Sequence, residues 1–96
     1  MKIIAETAWH HEGNFDFMKN LVTEIVNKTN ADIVKMHITL NLEEYMSTDH
    51  ENYKLQKPML FSKIQWQELI EIVRNKNREI MLLMNDTDAI EFGLSF

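Results

Sequence analysis

The chain has 96 residues, of which 45% are hydrophobic and 26% are charged, and its 15 acidic and 10 basic residues give a net charge of −5. This balance excludes nucleic acid and anionic membranes as partners, because both select basic surfaces. No apolar run approaches the roughly 20 residues of a membrane span, and the lack of cysteine excludes disulfides and cysteine nucleophiles. We expect one domain, residues 1–96, in the cytoplasm.

The first half of the chain predicts a strand, a helix and a second strand. Residues 3–7 are an aliphatic strand followed by a polar turn, and Asn14 is a suitable cap for a helix that ends near residues 27–30. The apolar residues of this helix recur at a spacing of three and four: Phe15, Met18, Leu21, Val22, Ile25 and Val26. Residues 33–38 then form the second strand.

The second strand has a period of two, so its side chains alternate between two faces. Val34, Met36 and Ile38 form an apolar face that should pack on helices, while Lys35 and His37 share the opposite face. The polar face should therefore line a functional site.

Residues 41–58 are polar and show no clean periodicity. A loop this long in a compact domain indicates either a functional lid or an element hidden from the pattern. A short helix around residues 42–46 is one such element.

The second half predicts a helix, a strand and a last short helix. Ser62 and Gln65 form a capping box, and the stripe that follows is apolar: Trp66, Leu69, Ile70 and Val73. This helix should end near residues 75–77, and residues 79–84 are a third aliphatic strand. Asp86-Thr87-Asp88 opens the last helix, which Gly93 should end.

The alternation predicts an α/β fold of about three βα units with parallel strands. An open doubly wound sheet usually needs about five strands and a (β/α)8 barrel needs eight, so we expect the opening part of a larger sheet. Three parallel strands leave two unpaired edges, which favours self-association or a homo-oligomer.

Glu6 and Lys35 are the candidate site residues that stand out, because strands buried on both faces normally exclude charge. Each also has a structural interpretation. Glu6 could be solvated or paired with a lysine, Lys35 could extend its ammonium from a frayed edge, and His37 could be a structural histidine.

The segment Ala5-Glu6-Thr7-Ala8-Trp9-His10-His11-Glu12-Gly13 resembles the first-strand motif of the sialic acid synthase (N-acetylneuraminate synthase) family. That motif typically reads Ala-Glu-Ile-Gly, any residue, Asn-His, any residue, Gly. Ala5, Glu6, His11 and Gly13 match it, whereas alanine stands at position 8 where the family has glycine.

The segment Ala31-Asp32-Ile33-Val34-Lys35 resembles the second-strand motif of the same family. Lys35 matches, whereas Met36 and His37 stand where the family has an aromatic residue and glutamine. The spacing of the two motifs and the later helix and strand extend the resemblance over nearly the whole chain.

The resemblance implies the N-terminal part of a (β/α)8 TIM-type barrel. The family condenses phosphoenolpyruvate with an N-acylated amino sugar and uses a divalent metal, Mn or Mg, whose histidine ligands lie in later strands that this chain lacks. By resemblance, Lys35 would bind the phosphate or carboxylate of phosphoenolpyruvate, and Glu6 would be the catalytic carboxylate beside the sugar.

His37 shares the face of Lys35 and is a further candidate for substrate binding. His11 would support either the site or the turn that carries it. We expect the isolated chain to be inactive. The alternative hypothesis is a small, self-contained α/β interaction or regulatory module that binds a partner or an anionic metabolite.

Overall fold

A computed structural model describes all 96 residues and has the predicted alternation of strands and helices. The strands are β1 (Ile4–Glu6), β2 (Ile33–Ile38) and β3 (Glu79–Met84), and the helices are α1 (Phe15–Lys28), α2 (Leu42–Tyr45), α3 (Tyr53–Gln56), α4 (Lys63–Asn75) and α5 (Thr87–Gly93). A 3-10 turn, Lys57–Met59, follows α3. β1 is one residue shorter at each end than predicted, although the Thr7 amide still donates to the Lys35 carbonyl at 3.1 Å.

The strands form one parallel sheet in the order β1-β2-β3. β2 lies in the centre, while β1 and β3 are edges with no further strand beside them. The register places Glu6 opposite Lys35 and His37 opposite Leu83. The structure confirms the prediction of an α/β fold with three parallel βα units.

The core lies between one face of the sheet and the helices. Val34, Met36 and Ile38 are fully buried there, as the alternation in β2 predicts. Helices α1 and α4 supply most of the remaining core: Met18, Val22, Val26, Trp66, Leu69 and Val73. The opposite face of the sheet is the more open one: Ile4, Met81 and Leu83 are exposed there, although Ile33 is buried.

Local capping explains where the helices begin. The Asn14 side chain accepts from the Phe17 amide at the start of α1, and Ser62 and Gln65 form the predicted capping box at α4. Asp86 caps α5 by accepting from the Ala89 amide at 2.8 Å. These bonds satisfy backbone donors that the first turn of a helix leaves free.

Residues 41–58 contain short helices, so the prediction of a hidden element is confirmed and α2 is the short helix expected there. Side chains hold this segment in place. The Glu43 carboxylate accepts from the Lys57 ammonium at 2.6 Å and from the Tyr53 hydroxyl at 2.5 Å. These bonds, chiefly the one from Lys57, lower the pKa of Glu43 to about 2. The Glu44 carboxylate accepts from the Thr87 amide at 3.1 Å and so joins α2 to α5.

The helices are also short and amphipathic rather than apolar throughout. None has both the length and the hydrophobicity that crossing a bilayer requires.

Candidate functional site

Three ionisable side chains meet on the open face of the sheet. Glu6 is the last residue of β1. Lys35 and His37 belong to β2, where Lys35 is in register with Glu6. Because side chains alternate along a strand and the two strands are parallel, the register brings all three to the same face near the carboxyl ends of the strands. We call Glu6, Lys35 and His37 the sheet cluster.

The contacts within the sheet cluster centre on one carboxylate oxygen. His37 Nε2 lies 2.7 Å from Glu6 Oε1, which is a hydrogen bond. Because a carboxylate only accepts, Nε2 carries the proton. Lys35 Nζ lies 3.8 Å from the same oxygen, within ion-pair range but beyond hydrogen-bond range.

This geometry leaves two kinds of group available to a ligand. Lys35 makes no side-chain hydrogen bond, so its ammonium retains all three donors. The second oxygen of Glu6, Oε2, accepts from no protein group, and half of the Glu6 side chain is exposed. The sheet cluster can therefore offer a positive donor to an oxyanion and an acceptor to a hydroxyl group.

The strand β3 adds an apolar wall to the sheet cluster. Met81 is in register with Lys35, and Leu83 is in register with His37. Both are about two-fifths exposed, and they place an apolar surface beside Lys35 and His37. The sequence pattern singled out neither residue, because an apolar side chain in a strand normally indicates core. Their positions in β3, which alternate in step with Lys35 and His37 in β2, are the signal that would have identified them.

The residues of the sheet cluster do not fit a divalent-metal site. Mg²⁺ and Mn²⁺ favour six oxygen-rich ligands, whereas this cluster offers one carboxylate already bonded to its only histidine. No group of three or more His, Cys, Asp or Glu side chains in the chain could hold a metal ion.

His11 lies apart from the sheet cluster, in the turn between β1 and α1. It is 3% exposed, and its ring packs on Phe61 with the ring centroids 4.4 Å apart. Its Nδ1 accepts from the Gly13 amide at 2.9 Å, and burial lowers its pKa to about 4. His11 therefore supports the turn as a neutral ring, while substrate binding by His11 stays a prediction.

Ala8 is strained in the same turn, with a φ of 46°. Replacing Ala8 with glycine, the residue typical of the resembling motif, should stabilise the protein by about 0.5–1 kcal/mol, because glycine adopts positive φ without a steric penalty. Urea unfolding measures the change. Ala5→Gly, at an extended position within β1, is the control and should destabilise. If Ala8→Gly also lost stability, as Ala5→Gly should, the inferred strain at Ala8 would be wrong.

Comparison with solved structures identifies several similar chains. The protein superposes on the sialic acid synthetase of Leptospira borgpetersenii serovar Hardjo-bovis, solved in complex with citrate, with a TM-score of 0.80 and 26% identity. The match covers 94% of this chain and 31% of that one. This chain thus spans about a third of the length of the synthetase.

Two spore coat polysaccharide biosynthesis proteins share the fold. Protein E from Chromobacterium violaceum has a TM-score of 0.74 and 18% identity, over 97% of this chain and 30% of its own. The protein spsE from Bacillus subtilis has a TM-score of 0.67 and 22% identity, over 98% of this chain and 26% of its own.

Sequence comparisons, by contrast, identify no relative. No protein-family model matches the chain, and no curated protein matches it. The fold and the two strand motifs therefore carry the relationship. The resemblance predicted from those motifs is confirmed: over nearly its whole length, the chain is similar to the N-terminal part of a sialic acid synthase barrel.

Proposed function

We propose that this chain forms the first three βα units of a sialic-acid-synthase-like barrel that condenses phosphoenolpyruvate with an N-acylated amino sugar. The observation that carries the proposal is the sheet cluster, in which the residues matching both strand motifs meet on the open face. In (β/α)8 barrels this face points inward, and active sites gather at the carboxyl ends of the strands.

In this proposal Lys35 binds the phosphate or carboxylate of phosphoenolpyruvate. Its ammonium has no hydrogen-bond partner in the protein, and its side chain is 28% exposed, so a ligand can reach a partly desolvated charge. An ammonium is a compact point charge that suits phosphate oxygens. The apolar neighbours on β3 strengthen the attraction by lowering the local dielectric constant.

Glu6 receives the sugar in this proposal, and His37 positions Glu6. The hydrogen bond from His37 holds Oε1 in place, which leaves Oε2 to accept from a sugar hydroxyl or to orient a proton donor. His37 stands where the resembling family has glutamine, another side chain that can donate to a carboxylate.

The prediction for Lys35→Ala is a loss of phosphoenolpyruvate binding. Removing a charge-assisted donor should weaken the affinity at least about tenfold, as measured by isothermal titration calorimetry. Lys2→Ala is the matched control, because Lys2 pairs with Glu79 at 2.7 Å near the amino end of the sheet. Its affinity should equal that of the wild type. No binding by the folded wild type, or equal binding by Lys35→Ala, would refute the assignment.

The proposal also holds that the isolated chain neither condenses substrates nor stays monomeric. Ile4 and Leu83 are exposed on the open face by 47% and 43%, and both sheet edges are free. Exposed apolar strands with unpaired edges favour association. Light scattering coupled to size exclusion should detect oligomers, and a monomer at all concentrations would contradict this part of the proposal.

A further inference from the structure

A second feature with binding character lies in the turn between β1 and α1. It is a cavity of about 450 Å³ lined by His10, His11, Glu12, Asn14 and Phe17. This volume falls within the range of small-molecule sites. The cavity shares no lining residue with the sheet cluster, and we call it the turn cavity.

The polar groups that line the turn cavity have hydrogen-bonding capacity to spare. The Glu12 and His10 side chains make no hydrogen bond or ion pair with the protein. Asn14 uses its oxygen to cap α1, at 3.0 Å from the Phe17 amide, so its NH₂ group is free. His11 is 97% buried, since only 3% of it is exposed. Because its Nδ1 accepts from Gly13, the proton of the neutral ring lies on Nε2, which has no protein partner.

Phe17 adds an aromatic surface to the wall of the turn cavity. It belongs to α1 but lies off the buried stripe of that helix, and half of it is exposed. An aromatic ring on an otherwise polar helix face is a candidate contact for a ligand with an apolar side.

The composition of the turn cavity favours a neutral polyol over ions. Glu12 and Asp16 place negative charge around the start of α1, which disfavours an anion despite the helix dipole. A metal is disfavoured because Nδ1 of His11 is already committed and no cluster of three ligands exists. A carboxylate acceptor, two N–H donors and an aromatic face together match the alternating hydroxyls and C–H face of a sugar ring.

We propose that the turn cavity is a binding site for a pyranose sugar. The ring stacks on Phe17, the Glu12 carboxylate accepts from sugar hydroxyls, and Asn14 and His11 Nε2 donate to sugar oxygens. The site is separate from the sheet cluster, because none of its lining residues belongs to that cluster.

The test is a titration of the ¹⁵N-labelled chain with glucose and with N-acetylglucosamine, followed by amide chemical shifts. We expect saturable shifts at residues 10–17 with at least one of the two sugars. Phe17→Ala should weaken binding at least about tenfold, as expected for the loss of an aromatic contact, and Glu12→Gln should also weaken it. Both residues are exposed, so the folded state should survive.

Ile64→Ala is the matched control, since Ile64 is an exposed apolar residue, 79% accessible, that lies on α4 outside the turn cavity. It should bind as the wild type does. Glycerol controls for non-specific polyol effects and should cause no saturable shift. The proposal is overturned if neither sugar gives saturable shifts, if the shifts map to the sheet cluster instead, or if Phe17→Ala binds like the wild type.

Discussion

Replacing Gly13 with alanine should lower the free energy of unfolding by about 3 kcal/mol, the sum of a left-handed backbone penalty and an overpacking cost. Gly13 has a φ of 83°, and a Cβ atom at this position would lie 2.8 Å from the Cα of Met59. That neighbour is backbone, so it cannot rotate away. The clash would force apart the β1–α1 turn and the end of the segment that follows α3.

Urea unfolding of Gly13→Ala and Gly93→Ala measures this effect. Gly93 is the matched control, because it ends α5 in a helical conformation and a new Cβ there would meet side-chain atoms of Met84 and Leu82 rather than backbone, chiefly the flexible end of Met84. Gly93→Ala should therefore cost less than about 1 kcal/mol. If Gly13→Ala lost no more stability than this control, the close packing of residue 59 on the turn would be wrong.

Acidification should destabilise the protein by about 3 kcal/mol through His11 alone. The pKa of His11 falls from 6.5 to about 4 because the ring is buried. The unfolded chain therefore takes up a proton at a higher pH than the folded protein does. The contribution of neutral His11 to the free energy of unfolding is fully present above pH 6.5 and is lost as the pH falls toward 4.

The free energy of unfolding, measured by urea between these two pH values, should show this dependence in the wild type and in His10→Gln. His10 is exposed and adjacent, which makes it the matched control. His11→Gln should lose most of the dependence in this window, because it carries no titrating ring. An unchanged slope in His11→Gln would show that other groups cause the acid sensitivity.

The helices and strands that the sequence predicted are those with a periodic pattern. Three-and-four spacing and the capping residues located α1 and α4, and the period of two in β2 separated Val34 from Lys35. Residues 41–58 had no such pattern. Their one-turn helices are held by distant partners, such as Glu43 with Lys57 and Glu44 with Thr87, which local propensity does not encode.

The candidate site was partly predictable for a similar reason. Alternation along the strands put Lys35 and His37 on one face, and the parallel order put Glu6 near them. The register pairs Glu6 with Lys35, and only the side-chain distances show that His37, at 2.7 Å, hydrogen-bonds Glu6 while Lys35 lies 3.8 Å away. The turn cavity was not predicted. Its walls come from a turn with positive φ angles at Ala8 and Glu12, and such a turn leaves no periodic signal. The sequence signal for it is Phe17, an aromatic residue that lies off the apolar stripe of α1.

The proposed function requires Lys35 of the sheet cluster to bind the anionic groups of phosphoenolpyruvate. The most direct measurement follows the ¹⁵N resonances of the Lys35 ammonium and the His37 ring during a titration with phosphoenolpyruvate. Saturable shifts are expected at both side chains, because Lys35 and His37 lie on the same Glu6 oxygen, and at the amides of residues 6, 35 and 37, with none at Lys2. If resonances of other residues shift while those of Lys35 and His37 do not, or if no resonance of the folded chain shifts, phosphoenolpyruvate does not bind at the sheet cluster.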